Sequence, residues 1–540
     1  MSSVAEEAAG SGTPAEADPK TIRLVIGASS AGTIFEWYDF FIYGTLAASG
    51  IIGRVFFPSG NETLQTLLAW AGFAVGFGFR PLGAILFGFL GDRVGRKATF
   101  LVTITVMGLA TAGVGLIPSA GTIGYAAPIL IILMRIAQGL ALGGEYGGAA
   151  VYVAEHAPPE RRGFYTSFIQ ASVPGGFILS LIVVLGVKAA MPAEIWDAWG
   201  WRVPFILSLL LLAISLWMRL KLSESPVFKK MKASNELSGN PFVESFTYPG
   251  NKRRIFVALF GLSAGLTVIW YTAYFSSLSF LKGPMRIEGT AAEIIVGVGA
   301  TLGLFWFLLF GRLSDRIGRK KPIVWGFGLT LILLFPIFWG IGAVANPQLS
   351  DSFDRAPIVV SGPACDYNAF ASEQASPCGQ LLADLSARGV EYTIQPAETL
   401  SLAIGGEQIV SFDKASIDAG LAGAGYNFEP VVPEPLAIVV IILMLVLLGG
   451  LSGATYGPMA ALLSEMFPPK IRYSSMSIPY HFGTGYFGGF LPLIAAAIIA
   501  TTGDPYSGLW YTWAVVLMAF LVTLFGLPNE QPDWSAERKA

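Results

Sequence analysis

Two stretches, "GFLGDRVGRK" (Gly88–Lys97) and "GRLSDRIGRK" (Gly311–Lys320), echo one another at an offset of 223 residues. A second pair, "GGEYGGAAVYVAEHAPPERR" (Gly143–Arg162) and "GATYGPMAALLSEMFPPKIR" (Gly453–Arg472), does so at an offset of 310. It matches Tyr146 with Tyr456, Glu155 with Glu465 and Arg162 with Arg472. Self-similarity at this scale means one structural half used twice. Because the offset grows between the pairs, the second half holds extra chain, and the polar segment 346–433 supplies it.

The repeat is set in an apolar chain. Of 540 residues 54% are apolar and 13% charged, with a mean hydropathy of +0.61, outside the range of soluble globular domains. Apolar stretches of membrane-spanning length number twelve: 25–52, 64–90, 98–117, 126–153, 164–187, 202–220, 254–281, 291–312, 322–345, 434–463, 473–500 and 507–527. The sequence therefore predicts an all-α integral membrane protein whose twelve transmembrane helices form two pseudo-symmetric six-helix bundles. Its parts are a disordered cytoplasmic tail (1–24), the first bundle (25–220), a cytoplasmic linker (221–253), helices 7–9 (254–345), an extracytoplasmic insertion (346–433), helices 10–12 (434–527) and a second cytoplasmic tail (528–540).

Lys and Arg concentrate in the loops after even-numbered spans. Such loops stay inside, which puts both termini in the cytoplasm. The first twenty residues lack a basic start before an apolar core and read as a tail rather than a secretory signal. No basic stripe points to nucleic acid. No nucleophile–base arrangement, metal-ligand cluster or phosphate loop with Lys is visible, so neither catalytic nor metal-binding residues are assigned.

The insertion carries eleven acidic residues against Arg355, Arg388 and Lys414, and the two cysteines of the chain, Cys365 and Cys378. In an oxidising compartment the pair closes a short loop; two unpaired thiols are the alternative. Alternating runs such as "EYTIQ" and "EQIVSF" predict short strands, hence a small ordered cap.

The first span, "GTIFEWYDFFIYGTLAASG" (Gly32–Gly50), contains Glu36 and Asp39, midway between Arg23 and Arg54 and so near mid-bilayer. Three residues apart, they share one helix face. A carboxylate there costs roughly 3 kcal/mol or more unless it meets water, a partner or a proton. Arg80 lies midway along the second span and Arg135 in the outer half of the fourth, with Glu145 further along that same helix. The repeat aligns these five with Ile269, Thr272, Gly303, Leu445 and Thr455. Charge confined to one half is easier to explain as function than as shared helix glue, although a purely architectural Asp–Arg pair is the competing reading.

An aspartate whose Arg neighbour comes and goes can load and release a proton. Asp39, with Glu36 and Glu145, is the proton-coupling set, Glu145 reading equally well as structural. Arg135 is expected to switch between Asp39 and an anionic substrate that Arg80 also grips. Around them Tyr38, Gln138, Tyr146, Gln170, Trp270, Tyr271, Tyr456, Tyr480 and His481 are candidate substrate contacts, His481 reading also as a packed, hydrogen-bonded residue.

"GDRVGRK" and "SDRIGRK" resemble the inner-loop signature of the major facilitator superfamily. More narrowly, "FEWYDFFIYG", "GFRPLGAILFGFLGDRVGRK", "RIAQGLALGGEYGGAAVYVAEHAPPERRGFYTSF" and "FGGFLPLI" are similar to the metabolite:proton symporter family, with its permeases for shikimate, 2-oxoglutarate, citrate and proline or betaine. The resemblance covers 22–345 and 434–527 and leaves the insertion unexplained. It implies a two-bundle carrier importing a small metabolite with protons as coupling ion; a monomer in a bacterial cytoplasmic membrane, with no cofactor, is expected. It implies a coupling pair at Asp39 and Arg135. It also implies a cytoplasmic gate of Asp92, Arg93, Arg96, Asp315 and Arg319, joined by Glu155, Arg162, Glu465 and Arg472. His481 stands where many relatives have Asn. The leading expectation is proton-coupled import of a small carboxylate; an osmolyte symporter, an exporter working by exchange and a transporter-like sensor are the alternatives.

Overall fold

The computed structural model describes residues 19–530 and Trp534, except Gly60, Gly95, 145–149, Tyr152, 155–156, 221–240, Ala364 and 469–470. The side chains of 19–25, 28, 88–89, 91–98, 100, 219 and 241 are likewise outside the described set. The expectations for Glu145, Tyr146 and Glu155, and for the side chains of Asp92, Arg93 and Arg96, therefore fall outside the described residues.

Ten helices among the described residues are long and apolar enough to cross a membrane, and two more, α1 and α3, complete the expected twelve. They are α1 (Pro19–Ala48), α2 (Glu62–Gly78, resuming as Arg80–Val94), α3 (Arg96–Leu116), α4 (Ala126–Gly143), α5 (Arg162–Ala189) and α6 (Val203–Leu220). The second half supplies α7 (Asn251–Lys282), α8 (Gly289–Ile317), α9 (Lys320–Ala345), α10 (Pro435–Met466), α11 (Arg472–Thr502) and α12 (Leu509–Gly526). Within the first half α5 packs along α1, and within the second α8 packs along α10. The halves meet where α5 crosses α8 and where α2 meets α11.

Local chemistry breaks the helices where function is expected. Pro81 removes a backbone donor and α2 falters at Phe79, immediately before Arg80. Tyr486 of α11 donates to the Gly78 carbonyl at 3.1 Å there. α7 widens into π-helical turns at Val257–Ser263 and Thr272–Ser276, and α11 at Gly483–Gly488. Such turns concentrate at functional sites; these flank Trp270, Tyr271, Tyr480 and His481.

The insertion folds as an ordered cap. Its strands β1 (Ile358–Gly362), β2 (Tyr392–Pro396), β3 (Ser401–Ile404) and β4 (Glu407–Ile409) form a sheet in the order β2-β1-β3-β4, with β1 parallel to β2 and antiparallel to β3. Helices Pro377–Arg388 and Lys414–Gly423 contribute Leu382, Leu385, Ile417 and Leu421 to a separate core with Ile358, Val360 and Leu402. Cys365 and Cys378 form a disulfide, which resolves the two readings of that pair.

Candidate functional site

On α1, Glu36, Asp39, Phe40 and Tyr43 recur at helical spacing. All four are buried in protein rather than turned to lipid. Arg80 and Arg135 are fully buried as well. Arg135 crosses from α4 to the face of α1. Its guanidinium lies 4.1 Å from the Phe40 ring centre, 4.5 Å from Tyr43 and 5.4 Å from Phe73. Stacking on ring faces offsets part of the cost of burying this charge. Its Nη1 donates to Gln138 Oε1 at 2.6 Å and its Nε to the Gly72 carbonyl at 3.4 Å. Gln138 in turn donates to the Asp39 backbone carbonyl at 3.3 Å and to Thr111 at 2.7 Å. Arg135 thus reaches the backbone of Asp39 through Gln138; among the described residues the guanidinium has no ion pair, and its Nη2 has no hydrogen-bond partner.

Close approach requires glycine here. A Cβ on Gly76 would sit 2.8 Å from Arg135 Nη2. Arg80 lies one level further along α2, 5.2 Å from the Trp37 ring and 5.1 Å from Phe77. It is within electrostatic reach of Tyr271, Tyr456 and His481. Trp70, Phe73, Phe77 and Arg80 follow one face of α2, so the two cations stand at successive levels along an aromatic ladder.

The second half closes on this ladder. Trp270 stacks on Phe41 at 4.9 Å, and Tyr271 meets Phe77 edge-on at 5.5 Å. Phe275 packs 5.4 Å from both Phe41 and Phe73. Trp270 Nε1, buried among these rings, has no partner among the described residues. Tyr456, Tyr480 and His481 are buried on α10 and α11, and Gln170 on α5. Tyr38 is not brought to the ladder: its hydroxyl donates to the Pro204 carbonyl at 2.6 Å, turned toward α6. The sequence reading missed Phe40, Tyr43, Phe73, Phe77 and Phe275; their helical spacing from Glu36, Asp39, Arg80 and Tyr271 was the available signal.

A cavity of about 860 Å³ lies at the cap end. Trp70 lines its floor and packs 5.6 Å from Phe73, which itself touches Arg135. One layer of rings separates the cavity from the buried cation.

At the opposite, basic end the halves are fastened. Asp315 accepts from the backbone amides of Gly163 at 2.8 Å and Phe164 at 2.9 Å. A carboxylate of one half thereby caps the positive end of α5 in the other. Arg319 binds Asp315 at 2.5 Å and grips Glu465 with Nη2 at 3.0 Å and Nε at 3.2 Å. Burial alone would pull its guanidinium down, but Glu465 and Asp315 hold it above the ordinary arginine value. Arg162 reaches Glu465 at 3.4 Å from the first half. Arg472 donates to the Phe467 carbonyl at 3.3 Å. Trp534 adds a bond to the Glu465 carbonyl at 2.9 Å.

Among the described residues no group of three or more His, Cys, Asp and Glu could hold a metal ion. Residues 29–353 match the Major Facilitator Superfamily. The chain is similar to the inner membrane metabolite transport protein YhjE of Escherichia coli, 32% identical over 92% of this chain and 93% of that one. It is 37% identical to the shikimate transporter of Escherichia coli over 59% of this chain and 73% of that one. It is 35% identical to the proline/betaine transporter of Salmonella typhimurium over 59% and 65% respectively. Among solved structures, the xylose transporter XylE from E. coli in a partially occluded inward-open conformation superposes with a TM-score of 0.57, covering 95% of this chain and 99% of that one at 15% identity. That likeness concerns the fold alone.

Proposed function

The chain belongs to the major facilitator superfamily, a family of transporters rather than enzymes, and from that premise we propose that it imports a small carboxylate-bearing metabolite together with protons. The observation that carries the substrate class is Arg135: a buried cation without an ion pair among the described residues, its Nη2 unpartnered, next to a ring-lined path from the cap-end cavity. Such a charge is stable only if an anion or strong acceptors complete it. A substrate carboxylate supplies both through a bidentate contact.

In this reading the solute enters at the cap end and displaces Gln138 from Arg135. It then passes along the ladder toward Arg80. Asp39, whose backbone carbonyl Gln138 joins to Arg135, takes up the proton when Arg135 turns to the substrate, because its carboxylate loses the field of that nearby cation. Asp315, Arg319, Glu465 and Arg162 hold the basic end shut until the halves rock. The basic end is cytoplasmic, as are both termini.

An osmolyte such as proline or betaine is the second reading, favoured by the rings of Trp270, Tyr271 and Phe41, which suit a cationic nitrogen beside a carboxylate. Proteoliposomes with an imposed proton gradient separate the two. Shikimate, simple di- and tricarboxylates, proline and glycine betaine are offered in turn. Accumulation of a carboxylate that stops with a protonophore is expected; accumulation of every accepted solute regardless of the gradient overturns the reading.

A further inference from the structure

The cap is tied firmly to the second half. Val431 donates to the Arg286 carbonyl at 2.9 Å, and the Glu288 amide donates to the Val431 carbonyl at 2.8 Å, clamping the α7–α8 connection. Arg286, the one non-glycine with positive φ (53°) among the described residues, hydrogen-bonds the Arg388 carbonyl with its side chain and lies 5.5 Å from the Phe428 ring. Ser386 and Tyr392 donate to the Ala500 carbonyl of α11 at 3.2 and 3.4 Å.

Toward the first half its contact is of another kind. Ala369 and Tyr367, in the loop closed by Cys365–Cys378, share one buried apolar cluster with Leu67 of α2 and Ala500 of α11. That contact is small and apolar, so parting it costs only the re-exposure of a few side chains. Below it lies a polar seam between the halves. Lys282 of α7 donates to Ser49 at the end of α1 at 2.8 Å and to Glu293 of α8 at 2.5 Å, and Ser49 donates to Glu293 at 3.2 Å. Lys188 of α5 donates to Thr290 of α8 at 3.0 Å. Glu293 Oε2 is buried and has no partner among the described residues, which leaves this seam only partly satisfied and therefore breakable. Ser386, Gly389 and Pro430 of the cap line the cavity above the seam.

We propose that the insertion is the cover of the outer gate: it moves with the second half as one piece and seals the antechamber by seating its disulfide-closed loop on Leu67. Opening the cavity to the outside separates Ala369 from Leu67 and breaks the contacts of Ser49 with Lys282 and Glu293 and of Lys188 with Thr290 together, while Lys282–Glu293 stays within the second half. The movement it describes is part of the transport cycle proposed above and rests on that reading.

The test uses the full-length protein in proteoliposomes. Leu67→Cys and Ala369→Cys are joined with a short bifunctional thiol reagent, and Ser276→Cys in the cavity wall reports access to a membrane-impermeant maleimide. The native cysteines are paired and do not compete. Cross-linking is expected to lower the maleimide labelling rate at least about tenfold, relative to the same reagent on Leu67→Cys with Ser276→Cys, and to stop uptake in step. Unchanged labelling after cross-linking overturns the proposal, as does a pair that never cross-links. If labelling falls but no variant transports any solute of the panel, the cover stands and the transport reading fails. Ser49→Ala with Glu293→Gln gives an independent arm without introduced cross-links. It is expected to raise labelling several-fold; no change there counts against the proposal.

Discussion

Gly76 shows how tightly the buried cation is held. With a Cβ there 2.8 Å from Arg135 Nη2, Gly76→Ala forces the guanidinium off its bonds to Gln138 and Gly72, an overpacking cost of about 1–3 kcal/mol. Gradient-driven uptake should fall roughly tenfold with normal yield of folded protein. Gly78→Ala on the same helix, whose Cβ would meet Phe490 at an ordinary 3.6 Å, should leave uptake within about twofold, since surface-like changes rarely exceed ±0.5 kcal/mol. Uptake assays and purified yields of the two variants check both. Glu36, Asp39, Arg80 and Arg135 were legible in the sequence because charge in an apolar run has few innocent explanations. Phe40, Tyr43 and Phe73 were not, since every span is rich in rings and nothing in composition marks those that face a guanidinium. Lys282 and Glu293 hid for another reason: charge near a span end is ordinary.

At the scale of elements, the gate at the basic end depends on helix ends as much as on ion pairs. Asp315 caps α5 across the interface through the Gly163 and Phe164 amides. Asp315→Asn keeps the shape but loses the charge at the helix terminus, a change of about 1–2 kcal/mol. The basic end should open more often, by roughly 5- to 30-fold in population. Thiol labelling of Ser167→Cys, on the α5 face that meets Gly311 of α8, measures this from that side. Labelling no faster than in the Asp315 parent would count against the contact. The resemblance to the superfamily's inner-loop signature implied a gate of Asp315 and Arg319 joined by Glu465, and these three side chains meet. That the partner of Asp315 is backbone was not legible, because amides carry no residue signature. The π-helical turns of α7 and α11 were equally hidden, being set by packing rather than by local propensity.

Across the whole molecule, two halves and an added cap were readable from offsets in the repeat and from an interruption in hydropathy. How the cap docks was not, because its contacts with α2, α7, α8 and α11 join segments far apart in the chain. Removing the disulfide with Cys365→Ser and Cys378→Ser frees a loop of sequence separation 13. Chain-entropy arguments assign such a cross-link about 3 kcal/mol. The cap should then unfold at lower temperature than the helical bundle, giving two transitions in place of one by scanning calorimetry, while the Asp315–Arg319–Glu465 gate is untouched.

The claim on which the rest turns is that Asp39 carries the coupling proton in the protein interior. Asp39→Asn in proteoliposomes, assayed for gradient-driven accumulation and for solute exchange at equal concentrations on both sides, tests it most directly. The expected result is loss of accumulation with exchange retained. Accumulation by Asp39→Asn equal to that of the parent protein would contradict it.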